Sequence, residues 1–446
     1  MDSERPSTRL RPLTGGYARY VLAVMVAINF LNYCDRWVGA AAAPLIQVEF
    51  RLSDFEVGLL GTAFLLVYAI SALPFGYWAD RGIRKTVIGV GVAIWSLATV
   101  FSGFVQSYFQ LLLTRTVLGI GEASYYPAGT SLISDYFPAE TRGRAMSIWS
   151  AGTALGIAVG FAGGGYVAEN FGWRRAFFFA ALPGLVCAAL AFRLREPLRG
   201  AAEKVGPKLE RTYEASLSAF LNLLRIPTLR ATILSQTFLY FVLASQAFWL
   251  PTQLHRRFAM SVSQASLISG AVIVLGGLVG TLVGGVLADR LSRRTQRGYL
   301  LVGMTGFILA AVTITVALLA PLDWNGVPVF VPLFFVSVVC VYLHAGPFTA
   351  VAQNVVSPAL RAGAVTMLLF ISHLFGDSHA PADVGWLSDQ THSLQLALLL
   401  TSAPLLLLAA AVAATALPRA DRDAAIMEQS WAEKQSDLRP AEASLP

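Results

Sequence analysis

Five charged residues lie inside long apolar runs: Asp35, Arg36, Arg115, Glu122 and Asp377. In hydrocarbon each costs at least ~3 kcal/mol, so each needs a partner or a task. Asp35 lies about 15 residues into the first run. Glu122 lies about 14 residues into the fourth, which enters from the opposite side. With a helical rise of about 1.5 Å per residue, the two reach similar depth. Arg115 and Glu122 are seven residues apart, two helical turns, and share a helix face. Carboxyls at such depth can take up a proton at one membrane face and release it at the other. Arg115 stays charged, so it is either a counter-ion for those carboxylates or a clamp for an anionic group. Competition for Arg115 would then link proton and anion binding. The alternative is a permanent buried salt-bridge network holding the first and fourth runs together. Arg36 points roughly 100° round the helix from Asp35 and is expected to face a neighbouring helix. His373 and Asp377 form a further polar site, while His344 reads as packing. No Cys, His and carboxylate set has ligand spacing, so neither metal nor cofactor is expected.

The chain is 56% hydrophobic and 13% charged, about half the charge of a soluble domain. Its charges cluster between runs of about 20 apolar residues, the length that crosses ~30 Å of hydrocarbon. The runs are 19–47, 55–79, 85–104, 108–137, 144–168 and 174–194, then 228–254, 263–288, 298–320, 328–356, 359–386 and 394–417. The fold expected is an all-α polytopic membrane protein of twelve transmembrane helices in two six-helix bundles. The divisions are an arm (1–18), an N-terminal bundle (19–194), a linker (195–227), a C-terminal bundle (228–417) and a tail (418–446). The linker carries a weakly amphipathic stretch from Tyr213 to Leu224, and the charged tail is helix-compatible and expected to fray. Of 33 Lys and Arg, 26 fall on the side of the termini and linker, which makes that side cytoplasmic. The net charge of +7 is thus a topology signal and implies no nucleic-acid partner. The first span reads as retained, with no cleavable leader. Cys34, Cys187 and Cys340 lie in spans and suggest no disulfide; no Asn-x-Ser/Thr acceptor occurs. Phosphate-loop, Gly-x-Ser-x-Gly and His-Glu-x2-His motifs are absent, which excludes an ordinary ATP-driven pump and the common hydrolases.

The chain repeats itself. Gly76-x3-Asp80-Arg81-x2-Arg84-Lys85 returns in the second half as Gly285-x3-Asp289-Arg290-x2-Arg293-Arg294. Pro127, Pro138, Gly143 and Gly156 return at one constant, slightly larger offset as Pro347, Pro358, Gly363 and Gly376, with an insertion around 321–328. Two halves repeated in order predict two bundles related by a pseudo-twofold axis along the membrane normal. Asp80 is placed to face a helix N-terminus and pair with Arg142. Asp80, Arg81, Arg84, Asp289 and Arg290 are read as gate residues with Arg142, or simply as helix stops that set topology. Gly152, Gly156 and Gly160 put small residues on one helix face, which reads as close packing.

Six spans, a basic linker and six more spans resemble the major facilitator superfamily. Within it several stretches resemble the spinster family of lysolipid and sphingolipid transporters. They are Asn32-Tyr33-x-Asp35-Arg36, Leu52-Ser53-Asp54-x3-Gly58-Leu59-Leu60, and Arg115-x3-Gly119-Ile120-Gly121-Glu122-Ala123 continuing through Pro127 to Asp135-Tyr136-Phe137-Pro138. The eleventh span adds His373-Leu374-x-Gly376-Asp377-x3-Pro381-x3-Gly385-x2-Ser388-Asp389. His379-Ala380 before Pro381 departs from the family pattern. The resemblance implies proton-linked transport of an amphipathic lipid with an anionic head, bound between the bundles. It makes Asp35 and Glu122 the proton-sensitive carboxyls, Arg115 the head-group contact and Arg36 a coupling partner. It also implies that the hairpin contacts latch the cytoplasmic side. Tyr33, Phe64, Tyr125, Phe248, Trp249 and Phe348 are the aromatic candidates for the apolar tail. A symporter of small organic anions such as sugar acids, and a non-transporting sensor, are the competing readings. Short loops suggest a bacterial inner membrane, and a monomer is expected.

Overall fold

The computed structural model describes residues 15–202, 222–293, 295, 297–320, 329–357 and 360–442. The N-terminal arginines Arg5, Arg9 and Arg11, most of the amphipathic linker stretch, Arg294, the 321–328 insertion and Pro358 lie outside them. The N-terminal half comprises α1 (Gly15–Phe50), α2 (Asp54–Arg81), α3 (Arg84–Ser102), α4 (Tyr108–Ala123), α5 (Tyr125–Tyr136), α6 (Ala139–Phe171) and α7 (Trp173–Arg193). The C-terminal half comprises α8 (Pro227–Phe258), α9 (Val262–Leu291), α10 (Arg297–Leu319), α11 (Phe330–Tyr342), α12 (Ala345–Asn354) and α13 (Arg361–Ser372). A π-helical turn (His373–Asp377), α14 (Ala380–Thr391) and α15 (Leu394–Ala414) complete it. Each half makes six crossings, so both ends of the bundle pair return to one side.

The fourth, tenth and eleventh crossings, read as single spans from sequence, are broken. Pro127, Pro347 and Pro381 each lack the N–H that would bond the carbonyl four residues back. The chain accordingly bends between α4 and α5, between α11 and α12, and through the π turn before α14. Among the described residues ten crossings, the broken tenth taken through its bend included, are long and apolar enough to span a membrane. Large apolar side chains such as Leu275, Leu278 and Leu282 on α9 face outward, more than half exposed. That face is the one lipid would cover, because a helix bonds its backbone polar groups within itself.

Small residues let the helices close on one another. A Cβ added at Gly156 would stand 2.3 Å from the Phe30 carbonyl oxygen of α1, and one at Gly160 2.7 Å from that of Cys34. The glycine stripe of α6 is therefore a helix-packing face. The tail, whose sequence is helix-compatible, is a helix from Leu417 to Glu442. Thr295 and Arg297 bond its Asp421, and Thr228 donates to its Asp423 at 2.6 Å.

Candidate functional site

Between the bundles lies a cavity of about 410 Å³. Its N-terminal wall includes Tyr33, Arg36 and Trp37 of α1, Phe64 of α2 and Arg115 of α4; its C-terminal wall includes Gln236, Tyr240 and Phe248 of α8. Tyr342, His344, His373, Asp377 and Pro381, grouped around the helix breaks of the C-terminal half, complete that wall.

Arg36 reaches across to α4. Its Nη2 lies 2.8 Å from Glu122 Oε2, and its Nε lies 3.3 Å from the same oxygen. The guanidinium carbon is 5.0 Å from the ring centroids of Tyr33, Phe64 and Tyr68, an aromatic cage in which a cation is favoured by the ring faces. Of the two roles open to Arg115, counter-ion for the carboxylates or clamp for an anionic group, the direct ion pair with Glu122 is made by Arg36. Arg115 donates instead to Ser102 Oγ at 2.9 Å and lies over Phe177 at 4.7 Å. Arg36, expected to face a neighbouring helix, does so: its long side chain spans the gap between α1 and α4.

Asp35 is fully buried, with Thr99 beside it but no close hydrogen bond to either oxygen among the described residues. Glu122 Oε1 is in the same state. The arginines line the cavity while both carboxylates stand behind them. A buried carboxylate without donors is costly, so any movement of Arg36 or Arg115 away from this cluster must be met by a proton or by water. On the opposite wall His373 Nδ1 lies 2.5 Å from Asp377 Oδ2, with the imidazole ring against Tyr240. That pair sits in the π turn, a backbone distortion that recurs at functional sites.

Of the six aromatic candidates, Tyr33, Phe64 and Phe248 line the cavity. Tyr125, Trp249 and Phe348 do not. The Tyr125 hydroxyl donates to the Met25 carbonyl at 2.5 Å and accepts from Trp149 Nε1, Trp249 Nε1 donates to the Pro381 carbonyl at 3.0 Å, and Phe348 packs on Phe307 and His344. All three are buried packing residues. The cavity liners that sequence reading missed include Trp37, Gln236, Tyr240 and Tyr342.

The hairpin residues are dispersed. Asp80, Asp289 and Arg290 are exposed, and Arg81, also exposed, stacks on Tyr77. Arg84 is fully buried inside the N-terminal half, paired with Asp135 and, at 2.7 Å, with Glu196, so it ties α3 to α5 and to the start of the linker. Arg142 donates to the Ser134 and Phe137 carbonyls at the end of α5. The bundles meet at the opposite end, away from the termini. There Arg256 of α8 grips Asp54 of α2 at 2.6 and 2.9 Å, and Ser388 of α14 donates to Asp54 at 2.6 Å. Asp54 and Ser388 stood in the quoted motifs, but the pairing with Arg256 carries no local signal.

The chain matches the Major Facilitator Superfamily model over residues 25–377. It is 33% identical over 400 residues to protein spinster homolog 1 of Xenopus laevis, covering 85% of this chain and 75% of that one. Against the Homo sapiens protein of the same name it is 32% identical over 402 residues, covering 86% and 75%. The crystal structure of a bacterial homologue of the human lysosomal transporter spinster, inward-facing and unoccupied, superposes with a TM-score of 0.77 at 27% identity, covering 94% of this chain and 98% of that one. Its occupied form gives 0.72. These relatives are transporters and not enzymes. Twelve crossings, with the fourth and tenth broken alike in the two halves around a charged cavity, together with these likenesses, make the chain an integral membrane protein of the Major Facilitator Superfamily and a member of its spinster family.

Proposed function

We propose that the chain is a proton-linked secondary active transporter that moves an amphipathic anionic lipid, of lysophospholipid or sphingoid-phosphate type, by alternating access. The observation that carries this reading is the placement of Arg36 and Arg115 on one cavity wall with Glu122 and Asp35 buried directly behind them. An anionic head seated on Arg36 competes with Glu122 for the same guanidinium. Glu122 freed of Arg36 is a buried carboxylate without a donor, and a proton is the smallest group that relieves it. Head-group arrival and proton uptake are thereby linked. The aromatic faces of Tyr33, Phe64 and Phe248 suit the apolar part of the ligand. Asp35 takes the same part beside Arg115, and His373 with Asp377 is a further polar site on the facing wall. Asp80, Arg81, Asp289 and Arg290 act as gate residues once the termini end closes. The positive loops favour cytoplasmic termini in a bacterial inner membrane, the bundles fall at 19–194 and 228–417, and the working unit is the monomer.

The test is proton movement in liposomes that hold the purified protein and an internal pH dye. Lysophospholipid or sphingoid phosphate is expected to trigger a flux that Glu122→Gln abolishes while binding persists. A response to a sugar acid alone assigns the chain to organic-anion symport, and binding without flux for either ligand makes it a sensor. Unchanged pH dependence of flux in Glu122→Gln overturns the proton site.

A further inference from the structure

The end away from the termini is closed by two contacts that are copies of each other. At the first, Asp389 of α14 accepts the backbone N–H groups of Asp54 and Phe55, both at 2.9 Å, so a carboxylate of the C-terminal bundle caps α2 of the N-terminal bundle. At the second, Glu169 of α6 accepts the backbone N–H of Ser263 at 2.8 Å and the Ser261 hydroxyl at 3.0 Å, so a carboxylate of the N-terminal bundle caps α9 of the C-terminal bundle. Glu169 and Asp389 are separated along the chain by the same offset that relates Pro127 to Pro347. The capped helices begin alike, with a Ser53 and Glu56 capping box in α2 and a Ser261 and Gln264 capping box in α9. Gly165 and Gly385, related by that offset too, bring the backbones together. A Cβ at Gly385 would lie 2.3 Å from the Asp54 carbonyl oxygen, and one at Gly165 2.4 Å from the Ser266 Cβ.

The physical consequence follows from where these donors sit. The first N–H groups of a helix have no partner within it, and a carboxylate there gains both hydrogen bonds and the favourable end of the helix dipole. In most proteins such a cap comes from the residue just before the helix and survives any rigid-body motion. Here the serines do that local work, and the second cap comes from the other bundle, so it exists only while this end is shut. The two copies are unequal. The α2 contact is backed by buried Asp54 with Arg256 and Ser388, whereas Glu169 is exposed to solvent.

We propose that these reciprocal inter-bundle caps are a paired latch that holds the end away from the termini shut, with the α6–α9 half the weaker and the first to part. The idea rests on the two ends opening in turn, and on no particular substrate or coupling ion. It is tested without substrate, by measuring the distance between nitroxides at Asn170→Cys and Gln390→Cys, both exposed residues at this end, with Cys34, Cys187 and Cys340 replaced by alanine. Glu169→Gln and Asp389→Asn are each expected to raise the ratio of long to short distances about fivefold, equivalent to ~1 kcal/mol at ~1.4 kcal/mol per decade. Glu169→Gln alone is expected to lengthen distances at the α6–α9 side selectively, read from a second pair at Asn170→Cys and Ala259→Cys. Ser53→Ala, which removes only a local cap, should leave the ratio where it was. Unchanged ratios in both variants overturn the latch, as does an equal shift from Ser53→Ala. Should Asp389→Asn fail to fold, Glu169→Gln decides alone, since its exposed side chain tolerates replacement; no shift there overturns the proposal.

Discussion

Removing Arg36 tests whether Glu122 is held as a buried anion. The Glu122 side chain is fully buried, Arg36 supplies the ion pair at one of its oxygens, and its other oxygen has no bond to any described residue. Arg36→Ala therefore leaves Glu122 without its ion-pair partner, with only Asn32 and the charge of Arg115 nearby. Breaking one side of a buried pair typically costs about 3–5 kcal/mol, and loss of the aromatic cage adds roughly 1 kcal/mol. Glu122→Gln in the same background removes the stranded charge, so the double variant should recover most of that loss and sit within ~2 kcal/mol of the parent. At roughly 2 °C per kcal/mol for a long chain, thermal unfolding followed by tryptophan fluorescence in detergent should place Arg36→Ala about 8–12 °C below the parent. The double variant should fall clearly above Arg36→Ala. The ordering matters more than the size. Because a proton can neutralise the freed Glu122, the comparison is made across pH: the gap between Arg36→Ala and the double variant should widen as pH rises. Equal stability even at alkaline pH would refute the buried-anion account, and with it the competition between head group and Glu122 for one guanidinium.

Two further outcomes follow from the same geometry. A Cβ at Gly58 would stand 2.2 Å from the Pro381 carbonyl oxygen and 2.7 Å from the Ala382 Cα, so Gly58→Ala must push α2 from α14. Overpacking of about 1–3 kcal/mol should raise the open population at this end by roughly fivefold or more in the nitroxide measurement, and an unchanged ratio would show that the helices already have room. Arg115→Ala should weaken anionic ligands at least tenfold more than neutral analogues in a binding titration; equal losses would make Arg115 a brace for Ser102 and Phe177.

The crossings were legible because hydrocarbon sets their length and the charges between them are unmistakable. The breaks were signalled by Pro127, Pro347 and Pro381, yet other prolines such as Pro44 and Pro404 lie inside unbroken helices, so proline alone does not say where a span divides. Which aromatics face the cavity was not legible. A membrane helix is apolar all round, so hydropathy cannot separate the side facing lipid from the side facing its own bundle. Tyr125 and Trp249 went astray for that reason, and Tyr240 was missed for the same one. The far-end seal was hidden differently. Asp54 and Asp389 stand at helix ends, where a carboxylate reads as a local cap, yet the two meet across 335 residues of chain.

The two halves share a backbone device and differ in chemistry. With the offset that pairs Pro127 with Pro347, Glu122 corresponds to Tyr342 and Arg115 to Phe335. With the offset that pairs the two hairpins, Asp80 with Asp289, Asp35 and Arg36 correspond to Ala244 and Ser245. The C-terminal half thus keeps the bend of the broken helix and drops every charge that the N-terminal half builds around it. Its own charged pair, His373 with Asp377, arises elsewhere, in the π turn of the eleventh span. A symmetric pore would treat the two ends of a ligand alike; this cavity cannot. An anionic group gains from the arginine wall and loses near Asp377, while Tyr240, Phe248 and Tyr342 offer the other wall to an apolar chain. The divergence of the repeat is therefore itself an argument for a ligand with one charged end and one greasy end. The same divergence places the proposed proton linkage in one bundle, while the proposed latch takes one half, of unequal strength, from each pair of bundle faces.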